Sequence, residues 1–507
     1  MRSACASMPS ALLGWSISRP SPIECAPDDG GLGFNGRMPR PLSLPDRDAA
    51  LAHATGIVLH AWHDLDVARE LEPELTAEQA ALLTLHLPAE GIDPIAGLDE
   101  AAGVLDASLA QARPRYFAYI GSSGLEIGTL GDFLAHTYDV NLATQSRAAS
   151  LLEAQALRWL AEFVGFPAVM GNFTSGGQLS NTTALAAARE HALPGTRTSG
   201  LAGARPRMYV SAEAHYSNTR AAEVLGIGAA NVISIPIDQH RRMRPDILAE
   251  WMDADIAAGF TPVAVVASGG TTLTGTVDPI GHLAAVAHER NSWLHVDGAY
   301  GLPAASTASR MHLFQGLADA DSVSIDAHKW MFVPKACSAV LVRDPTILAR
   351  TFGHDEAYMP HEDDVVPNMV DTTLEYSRPF RALKLWLAFR VHGADGLREA
   401  LEANIAQAML TYALASDHSD FEVLPDPPNL SVAPIRHALP DCPDVDAHND
   451  ALYKAMQSDG RVFISPGIID GQTWLRPCFT NFRTTTPDVE TLINVAAEIG
   501  EKICPRH

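Results

Sequence analysis

The sequence predicts an α/β protein, built on a mainly parallel sheet with helices on both faces and followed by a smaller C-terminal domain of mixed α and β. Three observations carry this. Short β-branched runs bounded by Gly, Asp or Pro recur after about residue 125, helix-like stretches separate them, and a long helical pattern after Trp386 gives way to mixed segments. With 507 residues, 47 % hydrophobic and 19 % charged, the chain can build one large core with attachments or about three domains, and wholesale disorder is excluded.

Residues 1–45 hold Pro9, Pro20, Pro22, Pro27 and the Gly30-Gly31 pair with little periodicity, and read as a poorly ordered arm. The apolar stretch Ala11–Trp15 is too short and Ser-broken for a signal peptide. Over 46–125 the pattern is helical, with Ala49, Ala50, Leu51, Ile57, Val58, Leu59, Trp62 and Leu65 at three- and four-residue steps. A large domain is expected over 126–385. Its predicted strands include Val263–Ala267, Trp293–Asp297, Ser322–Ile325 and Ala339–Val342, with a helix over Ile280–Arg290 between the first two. The domain 386–507 opens with a helix expected over Leu385–Ile405.

Thirty-six basic against 60 acidic residues give a net charge of −24, with no basic cluster, which argues against a nucleic-acid partner. No apolar run is long enough to span a membrane. Cys5, Cys25, Cys337, Cys442, Cys478 and Cys504 are scattered without a C-x-x-C pair or zinc spacing, so no metal site is expected and a reducing, cytoplasmic setting is.

Four segments carry chemistry. In Ser324-Ile325-Asp326-Ala327-His328-Lys329-Trp330 a lysine sits just past the carboxyl end of a strand, the edge where open parallel sheets bind ligands. It is either a surface lysine at a loop start or an amine held as a Schiff-base nucleophile, and His328 suits both. In Leu294–Tyr300, Asp297 closes an apolar strand ahead of small residues; alone it reads as a turn residue or helix cap. If the two strands lie close, carboxylate and amine point into one crevice. That is the arrangement pyridoxal phosphate (PLP) needs, its aldehyde taking the lysine and its ring nitrogen an acidic partner.

In Phe173–Asn181 the glycines Gly176 and Gly177 stand before the Ala-rich helical stretch Thr182–Arg189. This is a structural turn or, beside a Schiff-base lysine, a cradle for the cofactor phosphate, because amides at a helix start favour an anion. Thr174, Ser175 and Gln178 could add donors. His215 follows the predicted strand Met208–Val210. It is a structural histidine or a ring stacked on the flat cofactor, with Ala299 allowing close approach on the other face.

In this order these segments resemble the group II PLP-dependent amino-acid decarboxylases, a family that includes the aromatic-L-amino-acid, histidine and glutamate decarboxylases. The likeness runs from about Tyr116 to Arg483 and leans toward the aromatic-L-amino-acid branch. The family's H-V-D-A-A-Y reads His295-Val296-Asp297-Gly298-Ala299-Tyr300, and its lysine segment reads Asp326-Ala327-His328-Lys329-Trp330. Cys337-Ser338-Ala339, Tyr116-Phe117-Ala118-Tyr119 and Phe380–Trp386 also match.

The resemblance implies the aspartate-aminotransferase-like fold (fold type I). It also implies a homodimer with active sites at the interface, to which residues 46–125 contribute. Lys329 would form the Schiff base with PLP, Asp297 would pair with the ring nitrogen, and His215 would stack on the ring. Gly176, Gly177 and Gln178 would hold the phosphate, with Asp326, His328, Thr271, Thr272 and Ala299 near the cofactor. The turn Tyr119-Ile120-Gly121-Ser122 would contact the substrate through Tyr119, Ile120 and Ser122. The family usually has Asn at Asp326, and a carboxylate beside a phosphate is tolerated only when turned away or accepting a donor.

The implied reaction is α-decarboxylation of an L-amino acid, with aromatic substrates favoured by Tyr116–Tyr119. Ile120-Gly121-Ser122 replaces the bulkier aromatic–proline version of that branch and leaves a small or acidic substrate open. The family's proton donor is commonly a tyrosine on a mobile loop, yet Met359–Asp371 contains none. Tyr358, Tyr376, His361 and His215 are the alternatives, or the carbanion goes on to decarboxylation-coupled oxidative deamination and an aldehyde. An aminotransferase would need a carboxylate clamp such as Arg476 or Arg483. A catalytically dead scaffold should have lost the Lys, the Asp or the stacking His, and all three are present.

Overall fold

A computed structural model describes residues 41–68, 74–143, 146–201, 203–354 and 368–504. Most of the arm expected over 1–45, and most of the tyrosine-free stretch 359–371 with Tyr358 and His361, lie outside the described residues. The first helix, Leu44–Leu65, starts where Ser43 accepts the Asp46 amide on its hydroxyl and Pro45 presets the first turn. Neither this helix nor the next two, Ala77–Leu82 and Pro94–Asp106, buries a single side chain. Leu51 and Leu59 are 50 % and 47 % exposed.

Seven strands form the central sheet: β1 Met170–Thr174, β2 Pro206–Ser211, β3 Val232–Ile235, β4 Thr261–Ser268, β5 Trp293–Asp297, β6 Ser322–Asp326 and β7 Ser338–Val342. Their order is β1-β7-β6-β5-β4-β2-β3. Strands β3, β2, β4, β5 and β6 pair in parallel. The helix Ile280–Glu289 links β4 to β5, as a parallel connection requires. Alternate β4 residues serve both faces, Val265 and Ala267 on one and Ala264 and Val266 on the other.

Strand β7 is antiparallel to both β6 and β1. Two reversals restore direction, so β1 runs the same way as β6. Thr174 and Asp326 are both in register with Ser338. The carboxyl ends of β1, β2, β4, β5 and β6 therefore share one edge, and that edge positions the site.

The helix expected over Thr182–Arg189 runs Gly177–Ala192, starting earlier because the glycines and polar residues of its first turn mask its onset in the sequence. The helix expected over Leu385–Ile405 spans Ala382–Asp417 and is kinked at Gly393, whose φ of 71° breaks the helical backbone. A second, antiparallel sheet follows, β10-β11-β9-β8, from β8 Phe421–Val423, β9 Ile435–His437, β10 Pro466–Ile469 and β11 Gln472–Leu475. The helices Val445–Asp459 and Thr486–Ile503 accompany it, and Leu452, Met456, Val489, Leu492 and Ala496 form its core.

Among the described residues one ion pair is wholly buried. Arg378 donates to Glu153 at 2.7 Å, with neither side chain exposed, and also to the carbonyls of Phe173 and Leu142. It ties the segment before the long helix to the helix Ala148–Val164 and to β1.

Candidate active site

At the shared strand edge one cavity is lined by Gly177, Gln178, Asn181, His215, Ser268, Thr271, Thr272, Asp297, Ala299, Tyr300, Asp326 and Lys329, among others. Asp297 is the last residue of β5 and Asp326 the last of β6. Lys329 stands one turn on, in the short helix Ala327–Trp330. The lysine and the aspartate that the sequence sets 32 positions apart thus share one crevice.

Asp297 is gripped on both oxygens. Its Oδ2 accepts the amides of Asn181 and Asn218 at 2.8 and 2.9 Å, and its Oδ1 accepts Ser324 Oγ and the Ala299 backbone at 3.3 Å. Every partner is a donor. Behind it the fully buried His295 spans Ser322 Oγ at 2.9 Å and Asn181 Oδ1 at 3.1 Å. Burial pushes the His295 imidazole down to about 4, against the pull of Asp297. A neutral His295 orients the Asn181 amide, and Asn181 in turn donates to Asp297.

Lys329 Nζ lies 2.9 Å from Asp326 Oδ2, with a quarter of its side chain exposed to the cavity. Burial works to lower the lysine, but the carboxylates of Asp326 and then Asp297 outweigh it and hold the ammonium above its ordinary value. Asp326 is held low by Lys329 and His328 against the opposing effect of burial. So Asp326 does accept a donor, as a carboxylate near an anion must.

His215 Nδ1 accepts the Ser217 amide at 3.3 Å and lies 2.8 Å from Ser217 Oγ. A nitrogen accepting a backbone N–H carries no proton, so the neutral ring has its proton on Nε2. Burial lowers the His215 imidazole, Asp297 counters it and Lys329 reinforces it.

The helix Gly177–Ala192 begins at this cavity with no side-chain cap on its first amides. A β-carbon on Gly177 would fall 2.9 Å from Ala299 Cβ and 2.9 Å from Asp326 Oδ2, so the opening depends on glycine there. An uncapped sixteen-residue helix end is suited to an anion.

Other expected residues lie elsewhere. Gly176, the residue before that helix, and His328 are outside the cavity lining; His328 Nδ1 accepts the Cys337 amide at 3.2 Å. Tyr119 is 58 % exposed, with a left-handed φ of 54° and its amide on Ser465 Oγ. Ile120 packs against the main core, and Ser122 opens into a separate cavity with Trp62 and Lys335. Tyr376 is exposed and outside the lining. Of the two candidate clamps, Arg483 is taken up by Asp66, Glu126 and the Ser123 carbonyl. Arg476 is buried and donates to the Thr272 carbonyl and Ser465 Oγ, joining the cavity wall to the Tyr119 turn. Sequence reasoning assigned no role to Asn181 and Asn218. The signal for Asn181 was its place one helical turn after Gly177.

Residues 90–433 match the model of the pyridoxal-dependent decarboxylase conserved domain. The chain belongs to that family. The decarboxylase is 30 % identical over 431 residues to the aromatic-L-amino-acid decarboxylase of Bacillus atrophaeus, covering 83 % of this chain and 88 % of the relative. It is 32 % identical over 368 residues to the L-2,4-diaminobutyrate decarboxylase of Rhizobium meliloti, covering 72 % of each. Among solved structures it is similar to Oryza sativa TDC with PLP and tryptamine, at a TM-score of 0.86 and 25 % identity over 92 % of this chain and 100 % of the other. The enzyme is a carboxy-lyase of the PLP-dependent class and has fold type I.

The cofactor is pyridoxal 5'-phosphate, and the cavity fits it. A primary amine, a carboxylate held by four donors, a neutral imidazole and an uncapped helix start converge on it. Asp326 Oδ1 is buried there without a hydrogen-bond partner.

Proposed function

We propose that the enzyme removes the α-carboxylate of an L-amino acid and releases carbon dioxide and the amine, with aromatic substrates favoured. The observation that carries this reading is the meeting of Lys329, Asp297 and His215 in one cavity at an uncapped helix start. The aromatic preference rests on the Tyr116–Tyr119 segment and on a relative named an aromatic-L-amino-acid decarboxylase.

Bound PLP supplies an electron sink for the pair left on Cα when the carboxylate departs. Lys329 would hold the cofactor aldehyde through Nζ, a nitrogen that Asp326 orients. Asp297 would hold a proton at the cofactor's ring nitrogen by opposite-charge stabilisation. Asn181, Asn218 and Ser324 keep its carboxylate aimed. Gly176, Gly177 and Gln178 would hold the phosphate at the helix start, with Thr272 and Ala299 near the ring. His215 would stack on the ring, and its Nε2 holds a proton at the cavity. Of the turn Tyr119–Ser122, Tyr119 is the residue tied to the cavity wall at Thr272, through Ser465 and Arg476, and would face the substrate side.

The working unit is a homodimer with the site at its interface, which the unburied N-terminal helices support. A second reading, oxygen-dependent deamination to an aldehyde, is favoured by one observation: Met359–Asp371 contains no tyrosine.

The test is a panel of L-amino acids assayed for carbon dioxide, amine, aldehyde and peroxide. Amine equal to carbon dioxide, fastest with an aromatic substrate, is the expected result. Aldehyde with peroxide gives the second reading. Lys329→Ala should lose both turnover and the visible absorbance of bound cofactor, and full activity in that variant overturns the site.

A further inference from the structure

In the C-terminal part of the decarboxylase, outside the lining of its active-site cavity, three metal-ligating side chains meet. Cys442 lies in the turn before the helix Val445–Asp459, and His448 is in that helix's first turn. Cys504 caps the end of the last helix, Thr486–Ile503. Both sulfurs and one His448 ring nitrogen lie within 4.8 Å of one another.

His448 is only 5 % exposed. Its Nε2 is 2.9 Å from His437 Nδ1, whereas its Nδ1 is buried with no hydrogen-bond partner. A buried imidazole nitrogen left bare is costly unless something binds it. Nδ1 is the nitrogen free to face a ligand, and the Nε2 hydrogen bond fixes the ring as an outer partner does at metal centres. His437 is itself anchored, exchanging backbone hydrogen bonds with the Asn449 side chain.

We propose that Cys442, His448 and Cys504 form a zinc site that clamps the end of the last helix to the start of the helix Val445–Asp459. Two thiolates and one imidazole are a donor set that Zn²⁺ favours, with solvent in the fourth position. Tetrahedral bonds of about 2.3 Å to sulfur and about 2.0 Å to nitrogen put ligand atoms nearly 4 Å apart. A turn residue and a helix-terminal residue can close the remaining gap. Binding turns two thiols into thiolates and releases two protons. The usual short zinc spacings are missing from the sequence because the ligands come from two helix ends, with Cys504 far along the chain from the other two.

The test uses the full-length, PLP-loaded protein, reduced and stripped of metal by a chelator, then titrated with Co²⁺ without oxygen. Thiolate-ligated tetrahedral cobalt absorbs in the red, clear of the cofactor. Saturation at one Co²⁺ per chain, displacement by Zn²⁺, and loss of the bands in Cys504→Ser and in His448→Gln are the expected results. Retained cofactor absorbance shows that each variant is folded. In the unsubstituted protein, Zn²⁺ should also protect Cys442 and Cys504 together from alkylation, read by mass spectrometry. Absence of the bands, their persistence in Cys504→Ser, or a Cys442–Cys504 disulfide in the protein as purified overturns the proposal.

Discussion

Asp297 does its work through what surrounds it. Four donors from separate stretches hold its two oxygens, so a neutral substitute would meet the Asn181 and Asn218 amides with an amide of its own. Asp297→Asn should lower kcat about 10²–10³-fold, the scale of losing one preorganised electrostatic partner, while Asp297→Glu recovers part of it; steady-state kinetics on the preferred substrate reads both. His295 stands behind this carboxylate with its imidazole at about 4 against an ordinary 6.5. The folded protein therefore binds fewer protons than the unfolded chain between those values. The stability His295 lends is complete above pH 6.5 and is lost as pH falls toward 4. Urea midpoints measured across that window should decline, and the decline should be shallower in His295→Gln. At this scale the sequence displayed Lys329, Asp297 and His215, because each follows or ends an apolar strand. Asn181 and Asn218 were hidden: they meet Asp297 from 116 and 79 positions away, and the place of Asn181 one turn after Gly177 marks the helix start but not the contact.

Among the elements, β1 leads into the uncapped start of the helix Gly177–Ala192, and the buried pair Glu153–Arg378 ties it in place. Arg378 donates to the Phe173 carbonyl, one residue before β1 ends. Burial alone would neutralise Glu153, and Arg378 opposes that. Arg378→Leu leaves a buried carboxyl without its partner and should cost about 3–5 kcal/mol in denaturant unfolding. The double variant with Glu153→Leu should regain part of the loss, since two well-packed apolar groups can replace a buried pair. Strands were legible as elements because β-branched runs end in Asp or Ser. The antiparallel insertion of β7 between β6 and β1 was not, since side-chain alternation carries no record of strand direction. The kink at Gly393 escaped for a similar reason: a glycine within a helical pattern is tolerated without announcing a bend.

For the whole molecule, the first three helices are the anomaly. They bury no side chain, yet they carry Leu51 and Leu59 on open surface. A contiguous exposed apolar face marks an interaction site. Sedimentation velocity should give twice the chain mass, and Leu51→Asp with Leu59→Asp should shift it toward the single-chain mass with loss of turnover. The α/β class and its smaller second sheet could be read from element order. How the N-terminal helices are covered could not, because helical periodicity names an apolar stripe but not what lies against it.

The place of β1 also bears on how the enzyme is made. Among the described residues its only sheet neighbour is β7, Met170–Thr174 lying against Ser338–Val342. A nascent chain that has emitted the glycine cradle must wait for the ribosome to deliver some 170 further residues before that strand has anything to pair with. Vitamin capture is thereby deferred until β7 has been made, and truncated products that stop short of β7 should leave the cofactor unbound.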